Sequence, residues 1–271
     1  MPELPEVEVT RLGITPYLKN QTIRKIHVHQ AQLRWKVPAE VHLAEGLKIL
    51  DVTRRAKYLF IHTEAGSIIL HLGMSGKMRV IDTALPRVKH DHIEIELTTN
   101  KKLILNDPRR FGSCLWQDAS DSQALPMLGN LGPEPLTDDF DFTRLYTLSR
   151  GRKSPVKTFI MDNAIVVGVG NIYANESLFN AGIDPRRAAG RISKARYHSL
   201  TEQIKIVLAK AIEQGGTTLK DFAQADGNPG YFAQQLHVYG RAGEPCNECG
   251  EKIASKVIGQ RNTFFCKVCQ R

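Results

Sequence analysis

The chain has 271 residues, 42% apolar and 24% charged, which suits a globular protein of one large or two smaller domains. A net charge of +9 and a pI near 9.3 favour a polyanionic partner, nucleic acid before an anionic membrane, although many basic proteins have no such partner. No apolar run reaches the ~20 residues of a membrane span, the start lacks an apolar leader, and four of the five cysteines lie in the last 26 residues, which excludes a secreted disulfide framework and makes a reducing cytoplasm the expected compartment.

The first element, residues 3 to about 18, carries Leu4, Val7, Leu12 and Leu18 in a loosely helical pattern, weakened by Gly13 and Pro16. Its start has two readings. Loss of Met1 before the small Pro2 leaves a secondary amine that can attack an acetal-like carbon, with Glu3 beside it to move protons. Proline and acidic residues are equally at home at a helix N-terminus. From residue 22 the texture is short strands: Thr22–Val28, Leu47–Arg54, Tyr58–Thr63, Ser67–Leu72, His92–Thr98, Lys102–Asn106 and Ser113–Gln117. His92–Thr98 alternates, with Ile93, Ile95 and Leu97 on one face. Strands at this spacing predict a β-sandwich or barrel.

Three turns in this half carry chemistry. Arg54-Arg55-Ala-Lys57 gathers cations that would lower the lysine's pKa, bind phosphate, or simply be solvated. Asp107-Pro-Arg-Arg-Phe-Gly112 either pushes Arg109 and Phe111 into a duplex as a wedge or folds Phe111 inward. His71-Leu-Gly-Met-Ser-Gly76 places Met74 between glycines, as core or as wedge. Cys114 reads as a buried thiol.

Leu131-Gly-Pro-Glu-Pro-Leu136 punctuates the chain, and helices follow. Val167-Gly-Val-Gly-Asn171 opens a helix to about Ala181, where backbone N–H groups suit a phosphate; it is not a dinucleotide fingerprint, because Tyr173 stands where the third glycine belongs. Ser193–Gln214 is the clearest helix, with Leu200, Ile204, Val207, Leu208, Ala211 and Ile212 at the helical period. Residues 223–235 are predicted to be a surface loop. Cys246-x2-Cys249 and Cys266-x2-Cys269, sixteen residues apart, match a structural zinc site, with disulfides as the alternative. Between the pairs a β-hairpin with Lys252, Lys256 and Arg261 is expected, either DNA-directed or merely solvated.

In order and spacing these motifs resemble the formamidopyrimidine-DNA glycosylases over essentially the whole chain. The resemblance rests on Pro2-Glu-Leu-Pro-Glu-Val-Glu8, Arg55-Ala-Lys-Tyr58, His71–Gly76, Lys89-His-Asp-His92 and Asp107–Gly112. It continues through Gly168-Val-Gly-Asn-Ile-Tyr-Ala-Asn-Glu176, Gln214-Gly-Gly-Thr-Thr-Leu219 and the cysteine tail. It implies an α+β fold: an N-terminal catalytic β-sandwich with flanking helices (1–131), a helix–two-turn–helix domain (132–236) and a zinc finger (237–271), with DNA in the cleft between the halves.

The resemblance also implies roles. Pro2 would form an imino intermediate at C1′ of an oxidised purine nucleotide, and Glu3 would protonate the sugar ring oxygen. Lys57 would serve β-elimination and Arg261 δ-elimination. His90, Arg109 and Arg152 would contact DNA, with Lys153 as the alternative to Arg152. Asn171 would hold a phosphate. Met74, Arg109 and Phe111 would fill the gap left by the flipped base, over which residues 217–232 would close. One structural zinc would sit on Cys246, Cys249, Cys266 and Cys269. The implied protein is a cytoplasmic, nucleoid-associated monomer that acts on double-stranded DNA. Two other readings remain: an endonuclease VIII-type enzyme for oxidised pyrimidines, against which Leu4 counts because that family typically begins Pro-Glu-Gly-Pro-Glu, and a zinc-containing DNA-binding protein without catalysis.

Overall fold

The structure is a computed structural model and describes residues 2–121, 125–216 and 235–271. It divides into two compact units. The first holds residues 2–121, 125–129 and 214–216, the second 130–213 and 235–271.

The first unit opens with α1 (Leu4–Leu18) and continues through eight strands: β1 (Ile23–Val28), β2 (Asp51–Arg55), β3 (Tyr58–His62), β4 (Gly66–His71), β5 (Lys77–Asp82), β6 (Asp91–Leu97), β7 (Lys101–Asn106) and β8 (Ser113–Asp118). They form two antiparallel four-stranded sheets, ordered β1-β6-β7-β5 and β2-β3-β4-β8. Ile93, Ile95 and Leu97 of β6 pack with Leu59, Ile61, Ile68 and Leu70 of β3 and β4 in one core, so the alternation expected from sequence does face inward. Cys114 on β8 lies in this core, and burial pushes its thiol up to about 12.

The helix expected from residue 3 to about 18 is α1, and it runs on through Pro16 because fully buried Ile14 and Leu18 anchor its last turns. Two local features differ from what the sequence predicts. The strand expected over Leu47–Arg54 begins only at Asp51. Strand β5 has no counterpart in the sequence reading, since Met78 is its one fully inward side chain.

The second unit is helical: α2 (Phe142–Ser149), α3 (Val156–Ile160), α4 (Asn171–Asn180) and α5 (Lys194–Glu213), followed by the hairpin β9 (Ala254–Ile258) and β10 (Arg261–Phe265). Asp141 caps α2 by accepting from the Arg144 N–H at 2.8 Å. Leu200, Ile204, Val207, Leu208 and Ala211 form the buried stripe of α5. The predicted loop over 223–235 and the lesion loop over 217–232 lie outside the described residues, apart from Gln235. No helix among the described residues is long and apolar enough to cross a membrane.

Candidate active site and zinc centre

The chain start is buried from Pro2 through Val7. Glu3 is the N-cap of α1 and shares a capping box with Glu6; the Glu3 N–H donates to Glu6 Oε2 at 2.8 Å. Both carboxylates are buried, and a Cβ on Gly216 would sit 3.3 Å from Glu6 Oε1. The cap holds the Pro2–Glu3 peptide in one conformation at the start of the helix. Met1 lies outside the described residues.

One turn along α1, Glu8 receives Arg11 at 2.6 Å and Arg54 at 2.9 Å. Burial alone would raise the Glu8 carboxyl, but the two guanidinium groups outweigh it and hold it below the ordinary range. Arg54 also donates to the Ala56 carbonyl at 2.8 Å. So Arg54 is no free cation beside Lys57: it ties α1 to the β2–β3 turn that carries the lysine. Ala56 takes a φ of 53° there, a left-handed conformation that a non-glycine residue adopts at a cost of ~1 kcal/mol or more.

Tyr58, next to Lys57, packs its ring 4.8 Å from that of His71. His71 is mostly buried, and burial, then the charges of Lys57 and Arg34, push it down to about 4. Its Nδ1 accepts the Gly73 N–H at 2.9 Å, so the neutral ring carries its proton on Nε2. His71 thereby links the lysine turn to the turn of Met74.

That turn rests on the Asp107–Gly112 loop. Gly73 has a φ of 62°, and a Cβ there would fall 2.3 Å from the Phe111 carbonyl carbon. Asp107, fully buried, is the hub: its Oδ1 accepts from Ser75 Oγ at 2.7 Å and from the Arg109 N–H at 3.3 Å, and its Oδ2 accepts from the Gly112 N–H at 2.7 Å. The Asp107 N–H in turn donates to the His90 carbonyl at 3.0 Å. Phe111 is 44% exposed, so it does not fold inward, and the Arg109 guanidinium lies 5.2 Å from its ring centre. His90, Met74, Arg109 and Phe111 are thus gathered around one buried carboxylate.

The sequence reading missed Asp107 as the hub, His71 as the link, and Arg34. Arg34 is exposed, sits over the Trp35 ring, and its N–H donates to the Gly112 carbonyl at 3.0 Å. Arg34-Trp-Lys36 in a basic chain was the available signal.

In the second unit Asn171 is the first residue of α4, after Gly170 as N-cap. Its Nδ2 donates to the Asn262 carbonyl at 3.1 Å, while its buried Oδ1 has no hydrogen-bond partner among the described residues. Asn175, one turn on, donates to the Asn171 carbonyl at 2.5 Å and accepts the Phe264 N–H at 2.8 Å. Fully buried Lys157 donates to the Asn262 carbonyl and to Thr263 Oγ1. β10, which begins at the exposed Arg261, is thereby clamped to α3 and α4. Gly259 and Gln260, with φ of 56° and 61°, make the two-residue turn before it. Arg152 is exposed on the loop after α2.

The four tail cysteines converge. Their sulfurs lie within 4.8 Å of one another, with Cys246–Cys269 at 3.9 Å and Cys249–Cys266 at 3.4 Å. Tetrahedral zinc with bonds of ~2.3 Å needs sulfurs about 3.8 Å apart, whereas a disulfide needs about 2.05 Å. The donor set therefore fits zinc. Gly250, at a φ of 77°, closes the first knuckle, where its N–H donates to the Cys246 carbonyl at 2.9 Å. Four thiolates leave no position for water, so the single zinc is structural.

A zinc-stapled ribbon, a helical module and a β-sandwich with arginine-bearing turns define a class of nucleic-acid-directed proteins. Three family models match the chain: the formamidopyrimidine-DNA glycosylase N-terminal domain over residues 1–114, its H2TH domain over 131–223, and the zinc finger found in FPG and IleRS over 243–271. The chain is 70% identical to the formamidopyrimidine-DNA glycosylase of Alteromonas mediterranea and 66% identical to that of Pseudoalteromonas atlantica, each over 271 residues and the full length of both chains. Among solved structures it resembles the MutM (Fpg) protein of Thermus thermophilus, with TM-score 0.90, 38% identity, and 99% of this chain and 98% of that one covered. It also resembles Lactococcus lactis Fpg in complex with abasic-site DNA, with TM-score 0.91, 32% identity and both chains fully covered. The chain belongs to the formamidopyrimidine-DNA glycosylase family.

Proposed function

We propose that this protein is a bifunctional DNA glycosylase and abasic-site lyase of base excision repair, which removes oxidised purines from double-stranded DNA through a Pro2 imine. The buried, doubly capped amino end carries this reading: Pro2 and Glu3 are held still by the Glu3–Glu6 capping box. In a duplex the target carbon is out of reach, so the nucleotide must be flipped out, with Met74, Arg109 and Phe111 filling the gap.

The Pro2 amine bonds to C1′ as the C1′–base bond breaks; the amine loses its proton and the departing base gains one. Glu3 protonates the ring oxygen, the sugar opens, and the iminium becomes an electron sink that acidifies C2′. Loss of a C2′ proton then expels the 3′ phosphate, a step assigned to Lys57. A second elimination, assigned to Arg261, expels the 5′ phosphate. His90, Arg109, Arg152 and Asn171 are assigned to DNA. Zinc supplies folding energy to the finger and takes no part in these steps. The boundaries 1–131, 132–236 and 237–271 are the division we assign, and a cytoplasmic monomer working at the nucleoid is the setting.

Borohydride trapping with 8-oxoguanine duplex tests the reading. A covalent adduct through Pro2, abolished in Pro2→Gly, is expected. A retained Met1 with no adduct would leave only a DNA-binding module. Thymine glycol removed faster than 8-oxoguanine would favour the endonuclease VIII-type enzyme.

A further inference from the structure

The edge strand β1 runs out in His27-Val-His29. Successive side chains of a strand alternate between faces, and Ile26 and Val28 pack on the core, so both histidines stand on the opposite, outward side of the sheet. The ladder continues past the end of β1, where the His29 N–H donates to the His92 carbonyl at 2.9 Å. The two rings lie parallel, with 6° between their planes and 5.9 Å between their centres. Their side chains are 38% and 29% exposed, open enough for an ion to reach.

Each ring is backed by a carboxylate of β6. His27 Nε2 lies 3.1 Å from Glu96 Oε1, and His29 Nε2 lies 3.2 Å from Glu94 Oε1. Both carboxylates are fixed in turn: Lys102 holds Glu94 Oε2 at 2.9 Å, and Arg24 holds Glu96 Oε2 at 2.8 Å. A neutral ring that donates Nε2–H to a carboxylate keeps its lone pair on Nδ1, and neither Nδ1 has a hydrogen-bond partner among the described residues. A carboxylate behind the imidazole is the usual outer shell of a metal-bound histidine. Two imidazoles sharing a tetrahedral ion at about 2.1 Å have ring centres about 5.2 Å apart, so this pair must close by about 0.7 Å and tilt.

We propose that His27 and His29 chelate a second divalent transition-metal ion, zinc(II) or nickel(II), through Nδ1, with Glu94 and Glu96 orienting the rings from behind and water completing the shell. Imidazole favours such ions over magnesium or calcium. The cations around the pair are balanced, Lys25 by Glu45, Arg24 by Glu96 and Lys102 by Glu94, so no unpaired positive charge among them repels the ion. Both histidines belong to the first unit, whereas the four cysteines belong to the second. The proposal goes beyond the glycosylase reading and stands without it.

The test uses the full chain with its cysteine centre loaded, dialysed against zinc(II) and, separately, nickel(II). Elemental analysis should count two metal ions per chain in the wild type and one in His27→Thr/His29→Thr, whose threonines suit an edge strand. Either single substitution should remove most of the affinity for the second ion, because one imidazole cannot chelate. Glu96→Gln should weaken that ion by about 10- to 100-fold while both histidines remain. Nitrogen NMR of the wild type should show both Nδ1 signals moving as zinc is added. The melting temperature without added metal should match wild type in every variant, which shows that each is folded. A threonine double variant that still takes up two ions overturns the proposal, and so does a wild type that stops at one. Loss of the second ion in only one of the single variants would also overturn it, in favour of a one-histidine contact.

Discussion

Glu176→Gln tests how the second unit is held together. Glu176 sits on α4, is 1% exposed, and accepts three backbone N–H groups: His237 at 2.8 Å on Oε2, Val238 at 3.0 Å and Tyr239 at 2.9 Å on Oε1. One carboxylate thus anchors the approach to the zinc finger on the helix that begins with Asn171. Glutamine keeps one acceptor oxygen. With that oxygen toward Val238 and Tyr239, its amide group faces the His237 N–H, donor against donor. A hydrogen bond to a charged group contributes about 1.5–3 kcal/mol, and a neutral one about half that. Losing one outright and weakening two gives about 4 kcal/mol. At ~2.1 cal/mol/K per residue this is about 7 °C of melting temperature if the chain unfolds as a whole, and about 15 °C if the second unit melts alone. Calorimetry of the zinc-loaded protein reads it. Glu176→Met, which orphans all three donors, should fall further. A shift below about 2 °C in the glutamine variant would refute the assignment of this carboxylate as the anchor.

Three more outcomes follow from particular contacts. Asn175→Ala removes the acceptor of the Phe264 N–H and loosens the strand that begins at Arg261; on abasic-site DNA the ratio of β- to δ-elimination product should rise several-fold with zinc content unchanged, and an unaltered ratio would separate this clamp from the lyase steps. His71 is held at about 4 when folded, against 6.5 when free, so the unfolded state takes up the proton first and stability falls as pH drops through that window. The loss between pH 7 and 5 should be about 2 kcal/mol, and His71→Asn, which keeps an acceptor for Gly73, should flatten this limb of the melting curve. Cys249→Ser, or prolonged chelation, should release one zinc per chain and abolish tight DNA binding while the β-sandwich keeps its strand signal in circular dichroism; full DNA affinity without metal would contradict a structural centre.

Much of the site could be read locally. Two C-x2-C knuckles declare a tetrahedral thiolate centre because ligand spacing within a knuckle is set by the chain itself. The Glu3–Glu6 cap is also a matter of three residues' spacing. Asp107 was opaque: nothing in the sequence says that its oxygens would receive Ser75 and Gly112. Arg54 looked like one of three free cations until Glu8, 46 residues away, claimed it. Strand β5 escaped although Lys77-Met-Arg-Val80 alternates, because the run is short and only Met78 is fully buried, with Val80 packed partly against the core.

By itself the amino-acid sequence determined which segments bury a face, where the chain turns, and which side chains can bind zinc, since all of these depend on residues a few positions apart. Tertiary structure alone decided that Phe111 points outward, that His71 stays neutral, and that Glu176 holds three distant amides. Those outcomes depend on which groups meet across long loops, and on how much water is left between them when they do.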